Sequence, residues 1–333
     1  MLSAIYGKVM SLRNALYDRD TFEAHDLGAR TISVGNITTG GTGKTPLVAK
    51  IAEMLAANGE RVCILTRGYG RKDPKKRVLV SDGDQVLVDA ATGGDEPVEL
   101  ANKLIGKAFV VADADRVAAA KWALRKFGIT AFVLDDGFQH RRAKRDLDIV
   151  CIDATNPFGG GRTLPAGRLR EPLAGLARAD AVIITRVAFS SDRLVNRLED
   201  EIRNYAQEAR IFLSKDSVRE IRPLFGGPEY TADLKFAAFC GIGNPAYLFD
   251  TANEHTNGSL VGTLAFADHH NYTQNDIENI ESLAHEKSAD ALLTSAKDAV
   301  KLGHLNFSLP CFVIEIEPIV EPADDFEKLI FGE

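Results

Sequence analysis

Residues 34–46 read VGNITTGGTGKTP, a glycine-rich run that follows β-branched residues and precedes a predicted helix. This order of strand, loop and helix is typical of sites that bind the triphosphate of a nucleotide. Backbone N–H groups of the loop would face phosphate oxygens, Lys44 would add a positive charge, and the Thr45 hydroxyl could bind magnesium. The strict pattern G-x-x-x-x-G-K-[ST] is not met, because Thr38 stands in place of its first glycine. The alternative is a glycine-rich turn with a solvated lysine. The predicted nucleotide-binding residues are Thr39, Gly40, Gly41, Thr42, Gly43, Lys44 and Thr45.

The composition of the chain is that of a folded soluble protein. Of its 333 residues, 26% are charged and 45% are hydrophobic, and the length suits two domains of ordinary size. There are 40 Lys and Arg residues against 47 Asp and Glu residues, a net charge of −7, so we expect no nucleic acid partner. Nothing in the sequence indicates an obligate protein partner. The cysteines fit no metal or redox spacing and are expected to be reduced thiols in the core. They are Cys63, Cys151, Cys240 and Cys311.

The first 22 residues predict an amphipathic helix. Its apolar positions are Leu2, Ile5, Val9, Leu12 and Leu16, which recur at helical spacing. Lys8 and Arg13 are the only charged residues before Asp18. Such a helix either lies in a membrane interface or packs against its own domain, and the spacing fits both. No segment reaches the 18 or so consecutive apolar residues that a membrane span requires.

Apolar runs alternate with helical stretches from residue 31 onward, which predicts an α/β fold with a mostly parallel sheet and helices on both faces. Predicted strands cover residues 31–34, 62–65, 109–111, 131–134, 149–152 and 181–185, and predicted helices cover 46–58, 113–127 and 192–209. Together with the loop at residues 34–46, this pattern predicts a phosphate-loop NTPase-type domain over residues 23–214.

A second, smaller α/β domain is predicted over residues 235–333. Charged residues, prolines and glycines cluster around residues 215–230, and we interpret residues 215–234 as a linker. Strands of the second domain are expected near residues 236–240, 260–264, 291–294 and 312–316. We expect this domain to contribute to the active-site cleft.

Asp135 and Asp136 follow an apolar run at residues 132–134. In a phosphate-loop fold the end of such a strand lies beside the loop, where a carboxylate can hold magnesium directly or through water. Asp135 is the stronger candidate for the metal. The alternative is a simple turn, because Asp-Gly is a common turn pair.

Two further segments carry candidate catalytic groups. Asp95 and Glu96 precede a helix that begins at Pro97, and a carboxylate there could orient or deprotonate a hydroxyl. Asp95 could instead be the N-cap of that helix. His269 and His270 are the only paired histidines, and they follow Asp268. They could support a distant base or bind a metal, or they could be polar residues on the surface.

These segments, taken in order, resemble the tetraacyldisaccharide 4'-kinase family, the lipid A 4'-kinases of Gram-negative bacteria. The matching segments are residues 5–7, 12–14, 16–18, 33–38, 40–46, 67–71, 94–97, 115–117, 134–140, 161–172, 266–269 and 297–301. One departure is Ser295-Ala296, where the family is expected to have Thr-Glu. The resemblance assigns no role to the Lys297-Asp298 segment that follows.

The resemblance implies transfer of the ATP γ-phosphate to the 4'-hydroxyl of a tetraacylated glucosamine disaccharide 1-phosphate. The protein would be a peripheral one at the cytoplasmic face of the bacterial inner membrane, with the N-terminal helix in contact with the membrane. The implied catalytic residues are Asp95 as base, His269 as its support, and Lys44. Those around magnesium are Thr45, Glu96, Asp135 and Asp136. From the matching segments we assign acceptor contacts to Arg71, Arg116, Gln139, His140, Arg170 and Glu171.

The alternative function is that of a partitioning or regulatory phosphate-loop ATPase without a lipid acceptor. Such proteins share Gly-Gly-x-Gly-Lys-Thr but usually carry a lysine where this chain has Thr39. A GTPase would show a base-reading motif of the form Asn/Thr-Lys-x-Asp, whereas Lys297 and Asp298 are adjacent. These differences favour a kinase that uses ATP.

Overall fold

The computed structural model describes residues 2–226 and 229–333. Within these residues, twelve strands form one sheet that ten α-helices cover. The strands are β1 (Arg30–Asn36), β2 (Val62–Thr66), β3 (Val78–Asp82), β4 (Ala108–Ala112), β5 (Ala131–Asp135), β6 (Leu147–Asp153), β7 (Ala181–Thr185), β8 (Arg210–Pro223), β9 (Phe236–Cys240), β10 (Leu260–Ala265), β11 (Ala291–Ser295) and β12 (Cys311–Glu321). The helices are α1 (Leu2–Asp18), α2 (Lys44–Ala57), α3 (Ala90–Gly93), α4 (Asp95–Lys103), α5 (Arg116–Phe127), α6 (Asp192–Arg203), α7 (Pro245–His255), α8 (Gln274–Glu286), α9 (Ala296–Ala299) and α10 (Ala323–Phe331).

The N-terminal part of the sheet has the strand order β8-β7-β6-β1-β5-β2-β4-β3. All neighbours pair in parallel except β3 and β4. In the register, Val34 of β1 lies opposite Asp135 of β5, so the phosphate loop and the end of β5 share one edge of the sheet. The mostly parallel sheet predicted from the sequence is confirmed.

Alternate residues of each strand enter different cores, because successive side chains point to opposite faces of a sheet. Ile64 of β2 and Val133 of β5 pack with α2, α4 and α10 on one face. On the other face, Leu65 of β2 packs with α5, while Ile152 of β6 packs with α6. All four cysteines are buried free thiols, as expected.

The predicted linker at residues 215–234 is corrected by the structure, which places residues 215–223 inside β8. This strand pairs antiparallel with β12 from Leu213 opposite Glu321 to Pro223 opposite Phe312. The polar residues that suggested a linker occupy the half-exposed face of this two-stranded ribbon, where Arg222 Nε lies 2.7 Å from Glu315 Oε1. Residues 224–226 and 229–234 form no helix or strand, and residues 227 and 228 of the predicted linker lie outside the described residues.

The C-terminal part adds strands in the order β10-β9-β11-β12, all parallel to one another. The four strands expected in this region are therefore confirmed. Helix α10, however, joins the core of the N-terminal part. Phe326 and Ile330 of α10 are buried with Leu47 and Ile51 of α2, and the ring of Phe326 lies 5.5 Å from that of Phe212. The boundary at residue 235 thus omits a helix that completes the N-terminal core.

Helix α1 packs through its polar side. Tyr6 donates from its hydroxyl to Arg170 O at 2.9 Å, and Asn14 Nδ2 donates to Glu171 Oε2 at 2.7 Å. The apolar stripe faces outward, with Leu2, Ile5, Val9 and Leu12 between 51% and 67% exposed. Packing of the stripe against its own domain is therefore excluded for these four residues. In the described parts of the chain, no helix is both long and apolar enough to cross a membrane.

Candidate active site

The loop between β1 and α2 lines one wall of a cleft of about 1390 Å³. Gly40 and Gly43 have φ angles of 109° and 76°, in the left-handed region that other residues rarely adopt. Asn36 at the end of β1 donates from Nδ2 to Thr42 Oγ1 at 3.0 Å, which fixes the far side of the loop. Helix α2 begins at Lys44, so the unpaired N–H groups of its first turn lie at the cleft wall, where they suit an anion. The predicted strand, loop and helix are present in that order.

Asp135 and Asp136 differ in how their charges are compensated. Asp135 is buried at the end of β5 and accepts a hydrogen bond from Thr66 Oγ1 at 2.9 Å. Burial, together with the neighbouring carboxylates of Glu96 and Asp136, raises the pKa of Asp135 to about 6. Asp136 has a left-handed backbone with a φ of 55° and faces two cations, Lys44 Nζ at 3.6 Å and Arg170 Nη1 at 2.6 Å. Burial opposes ionisation of Asp136 too, but these two cations hold its pKa below the ordinary value.

Asp95 lies in the first turn of α4, next to Glu96, which lines the cleft. The N-cap of α4 is Gly94, with a φ of 97°, so Asp95 is not the N-cap that the sequence offered as an alternative. Its Oδ2 atom instead lies 3.2 Å from His269 Nδ1 and 3.7 Å from Lys301 Nζ. Burial acts to raise the pKa of Asp95, but the hydrogen bond from His269 and the charge of Lys301 outweigh it and lower the pKa overall. Asp95 is therefore an ionised carboxylate.

His269 is presented by a tight turn after β10, with a φ of 61° and a backbone N–H that donates to Gly241 O at 3.1 Å. Its Nε2 atom lies 3.3 Å from Lys297 Nζ, and the ring of Tyr69 lies 5.4 Å from the imidazole. Asp95 lies on α4 of the N-terminal part and His269 follows β10 of the C-terminal part, so their contact joins the two parts beside the cleft.

Lys297 and Lys301 are site residues to which the sequence assigned no role. Lys297 Nζ lies 3.2 Å from both Glu96 Oε1 and Asp268 Oδ1. Burial lowers the pKa of Lys297, but Glu96 and Asp268 outweigh that effect and raise it overall. Lys301 is buried and pairs with Asp298 at 3.0 Å. The sequence signal for these two lysines was the segment 297–301, which resembles the family. Only the fold shows what the lysines contact.

The six residues assigned to the acceptor divide into two groups. Gln139 and Arg170 line the cleft beside α1. The other four, Arg71, Arg116, His140 and Glu171, are not among the residues that line it in the described structure. Direct contact with the acceptor stays a prediction for Gln139 and Arg170.

Three of these four side chains, those of Arg71, Arg116 and Glu171, are occupied by contacts within the protein. Arg71 donates to Ala112 O and Pro74 O, both at 2.9 Å, and Arg116 donates to Asp113 O at 3.1 Å. Glu171 accepts hydrogen bonds from Asn14, Gln139 and Arg178. Burial, reinforced by the charge of Arg116, lowers the pKa of His140 to about 4. The contacts of Arg71, Arg116 and Glu171 indicate that these three residues support the cleft wall.

The carboxylates of the cleft fit a magnesium ion that arrives with a nucleotide. Within residues 2–226 and 229–333, no three His, Cys, Asp or Glu side chains form a preformed metal cluster. Magnesium commonly uses one or two carboxylates and completes its shell with phosphate oxygens and water. Burial and the neighbouring carboxylates raise the pKa of Asp135, and a bound cation would favour its ionised form. Asp136 Oδ1 accepts no hydrogen bond in the described structure. Thr45 and Glu96 line the same cleft.

Known proteins match this chain over nearly all of its length. The family model described as Tetraacyldisaccharide-1-P 4'-kinase matches residues 1–331. The tetraacyldisaccharide 4'-kinase of Halothermothrix orenii is 37% identical over 350 residues, covering 99% of this chain and 90% of that protein. The corresponding protein of Geobacter sulfurreducens is 39% identical over 325 residues, covering 96% and 89%.

A solved structure matches as well. It is described as the "apo" form of LpxK from Aquifex aeolicus in complex with ATP, and it aligns with a TM-score of 0.79 at 30% identity. The alignment covers 99% of this chain and 96% of that one. The match thus includes both walls of the cleft.

Proposed function

The chain belongs to the tetraacyldisaccharide-1-P 4'-kinase family, and we propose that it transfers the γ-phosphate of ATP to the 4'-hydroxyl of a tetraacylated glucosamine disaccharide 1-phosphate in lipid A synthesis. The observation that carries this proposal is the pair of Asp95 and His269: His269 lines the same cleft as the phosphate-binding loop, and Asp95 lies 3.2 Å from it. A nucleotide bound at the loop would direct its terminal phosphate toward that pair.

Asp95 acts on the acceptor hydroxyl. Because its pKa is low, the carboxylate is ionised at neutral pH and accepts a hydrogen bond from the hydroxyl. The hydroxyl proton passes to the carboxylate as the hydroxyl oxygen bonds to the γ-phosphorus and the bond from that phosphorus to the bridging oxygen breaks, so that ADP leaves. His269 holds the carboxylate through its Nδ1 atom, 3.2 Å away, and thereby sets the direction from which the hydroxyl attacks.

Cations on the opposite wall compensate the charge of the transferring phosphoryl group. Lys44 and Arg170 both contact Asp136. Both are within side-chain reach of a phosphate at the head of α2, and fixed positive charges of this kind stabilise phosphoryl transfer. Thr45, Glu96, Asp135 and Asp136 would hold magnesium, which neutralises phosphate charge when bound.

The acceptor would approach from the side of α1. Tyr6 and Met10 of this helix line the cleft, while Ile5, Val9 and Leu12 expose an apolar stripe beside it. A tetraacylated lipid retains its chains in the bilayer, because each buried methylene contributes about 0.8 kcal/mol. We therefore place the protein peripherally at the cytoplasmic face of the inner membrane, with the stripe in the lipid interface and the sugar head group in the cleft.

The test is transfer of labelled phosphate from ATP to the tetraacyldisaccharide 1-phosphate presented in mixed micelles. We expect a product that carries the label at the 4' position, with little release of inorganic phosphate. Asp95→Asn should abolish transfer while leaving ATP binding intact. Asp84→Asn, which changes an exposed aspartate after β3, should leave transfer unchanged. ATP hydrolysis that proceeds equally without the acceptor would instead support a regulatory ATPase, the alternative that the family match does not favour.

A further inference from the structure

Arg186 follows the last residue of β7 and has an unusual backbone. Its φ of 60° lies in the left-handed region, although it is not glycine. Non-glycine residues in this region are uncommon and cluster at sites where the surroundings enforce the conformation. The turn carries a guanidinium, only 8% exposed, beneath the phosphate loop. No step of the mechanism above uses this side chain.

The contacts of Arg186 explain how the loop keeps its shape. Backbone N–H groups that face an anion leave the carbonyls of the same loop pointing away from it, and buried carbonyls need donors. Arg186 Nη1 donates to Gly41 O at 2.9 Å, and Thr185 Oγ1 donates to Thr42 O at 3.1 Å. The same guanidinium pairs with the buried carboxylate of Asp153 at the end of β6. The ends of β6 and β7 thus hold two consecutive carbonyls of the loop.

The other side of the guanidinium meets helix α7. The ring of Tyr247 lies 4.7 Å from Arg186 Cζ, and the Tyr247 hydroxyl donates to Asp216 Oδ2 of β8 at 2.6 Å. The ring of Phe189 packs against Tyr247 at 4.8 Å. Just before α7, Gly243 approaches so closely that a Cβ atom there would lie 3.2 Å from Gly41 N. Helix α7 therefore docks on the loop through Arg186.

We propose that Arg186 is a positioning residue that holds the phosphate loop in its anion-binding shape and is itself held by Tyr247. The affinity for ATP then depends on the docking of α7, a helix that contributes to the opposite part of the sheet. The proposal rests on the use of ATP by this site. ATP binding measured without any acceptor tests it separately from the transfer reaction.

The first test compares Arg186→Met, Arg186→Lys and the wild-type protein by calorimetric ATP binding and by initial rates. Methionine keeps the length of the side chain but cannot donate to Gly41 O. A lost hydrogen bond from a charged donor weakens ATP binding roughly ten- to a hundredfold. The KM for ATP should therefore rise by a similar factor, whereas kcat should change much less. Lysine can still donate, so Arg186→Lys should recover most of the affinity.

A matched control is available at the edge of the sheet. Arg77 also pairs with an aspartate, Asp113, at 2.7 Å and lies over an aromatic ring, that of Trp122, at 5.7 Å, but it does not line the cleft. Arg77→Met should leave ATP affinity within about twofold of wild type. The proposal is wrong if Arg186→Met binds ATP as tightly as wild type, or if Arg77→Met loses affinity to the same degree. Should Arg186→Met not fold, Arg186→Lys and the Tyr247 variants decide the same question.

The second test addresses α7. Tyr247→Leu removes the ring over Arg186 and should raise the KM for ATP, whereas Tyr247→Phe keeps the ring and should raise it less. Thr251→Ala, one turn along the same helix, removes only a hydrogen bond to Tyr247 O and controls for loosening of α7. Combined with Arg186→Met, Tyr247→Leu should add little. If the double variant shows the product of the two single effects within about twofold, Arg186 and Tyr247 act independently and the link to α7 is refuted.

Discussion

At the scale of single residues, three non-glycine residues with left-handed backbones line the cleft. Asp136, Arg186 and His269 have φ angles of 55°, 60° and 61°. Each presents a charged or polar side chain at the end of a strand or in a turn beside the phosphate loop. Such conformations cost of order 1–3 kcal/mol and persist only where the surroundings impose them. Three of the six non-glycine residues with a left-handed backbone in the described structure thus lie at the cleft that the side-chain contacts identify.

The pairing of Asp95 with His269 predicts strongly non-additive kinetics. Asp95→Asn should lower kcat about a thousandfold and His269→Ala about a hundredfold, because a base and its support act together in the transition state. The double variant should be scarcely worse than Asp95→Asn alone. The control is His304→Ala, which changes an exposed histidine and should leave kcat unchanged. Measured effects that add with a coupling energy below about 0.5 kcal/mol would show that the two residues are independent.

His140 predicts a loss of stability in mild acid. Its folded pKa of about 4 lies below the ordinary value of 6.5, so the folded protein disfavours the protonated imidazole. The stability is therefore complete above pH 6.5 and falls as the pH drops from 6.5 toward 4. Between pH 7 and pH 5 we expect a loss of about 2 kcal/mol, measured by urea unfolding. His140→Asn should remove this part of the pH dependence, and an unchanged slope would contradict the assignment.

The sequence predicted the residues next to glycine-rich and acidic motifs, and it missed those defined by long-range contacts. Asp95 and His269 were named as possible partners only through the family resemblance, since 174 positions separate them. Lys297 and Arg186 have no local pattern, because a lysine or arginine after a strand is usually solvated. Their roles depend on which strands become neighbours, and no single segment of the sequence determines the order of strands in the sheet.

At the scale of elements, helix α1 presents its apolar residues to solvent and packs through polar ones. We predict that the triple variant Ile5→Ser, Val9→Ser and Leu12→Ser binds anionic vesicles at least about tenfold more weakly. The KM for a bilayer-presented acceptor should rise, whereas the KM for ATP should not change, because these side chains do not line the cleft. Leu194→Ser on α6, which removes a leucine that is 55% exposed, is the control. Equal vesicle binding by the triple variant and wild type would exclude a membrane role for the stripe.

The elements that the sequence predicted well are those buried on both faces. Strands β5, β6 and β7 are buried throughout, and each begins and ends within two residues of the prediction. Strand β8 was missed because much of it is half-exposed and polar, so its residues resemble a linker. Its first residues pair with β7, but from Ser214 onward its partner is β12, which follows it by more than 80 residues. The pairing between distant segments is the part of the fold that local patterns do not show.

At the scale of the whole molecule, the two halves share a core, and we predict that they unfold together. Phe326→Ala removes a buried ring of α10 and should lower the stability by about 3–5 kcal/mol. Trp122, the only tryptophan, lies on α5 in the N-terminal half and reports that half by fluorescence. The urea midpoint of the Trp122 fluorescence change should therefore move to a lower urea concentration in Phe326→Ala. Exposed Phe225 gives the control variant Phe225→Ala. A midpoint that does not move would mean that α10 is dispensable to the N-terminal half.

The return of α10 to α2 has a consequence for how the protein is made. A ribosome releases the phosphate-loop segment early, and domains generally fold in the order in which they emerge. Here Leu47 and Ile51 of α2 are covered by Phe326 and Ile330 of α10, which are among the last residues described. The nascent chain must therefore wait with an uncovered apolar surface on α2 until nearly all of this sequence has been translated. During that interval the surface would be a natural target for a chaperone.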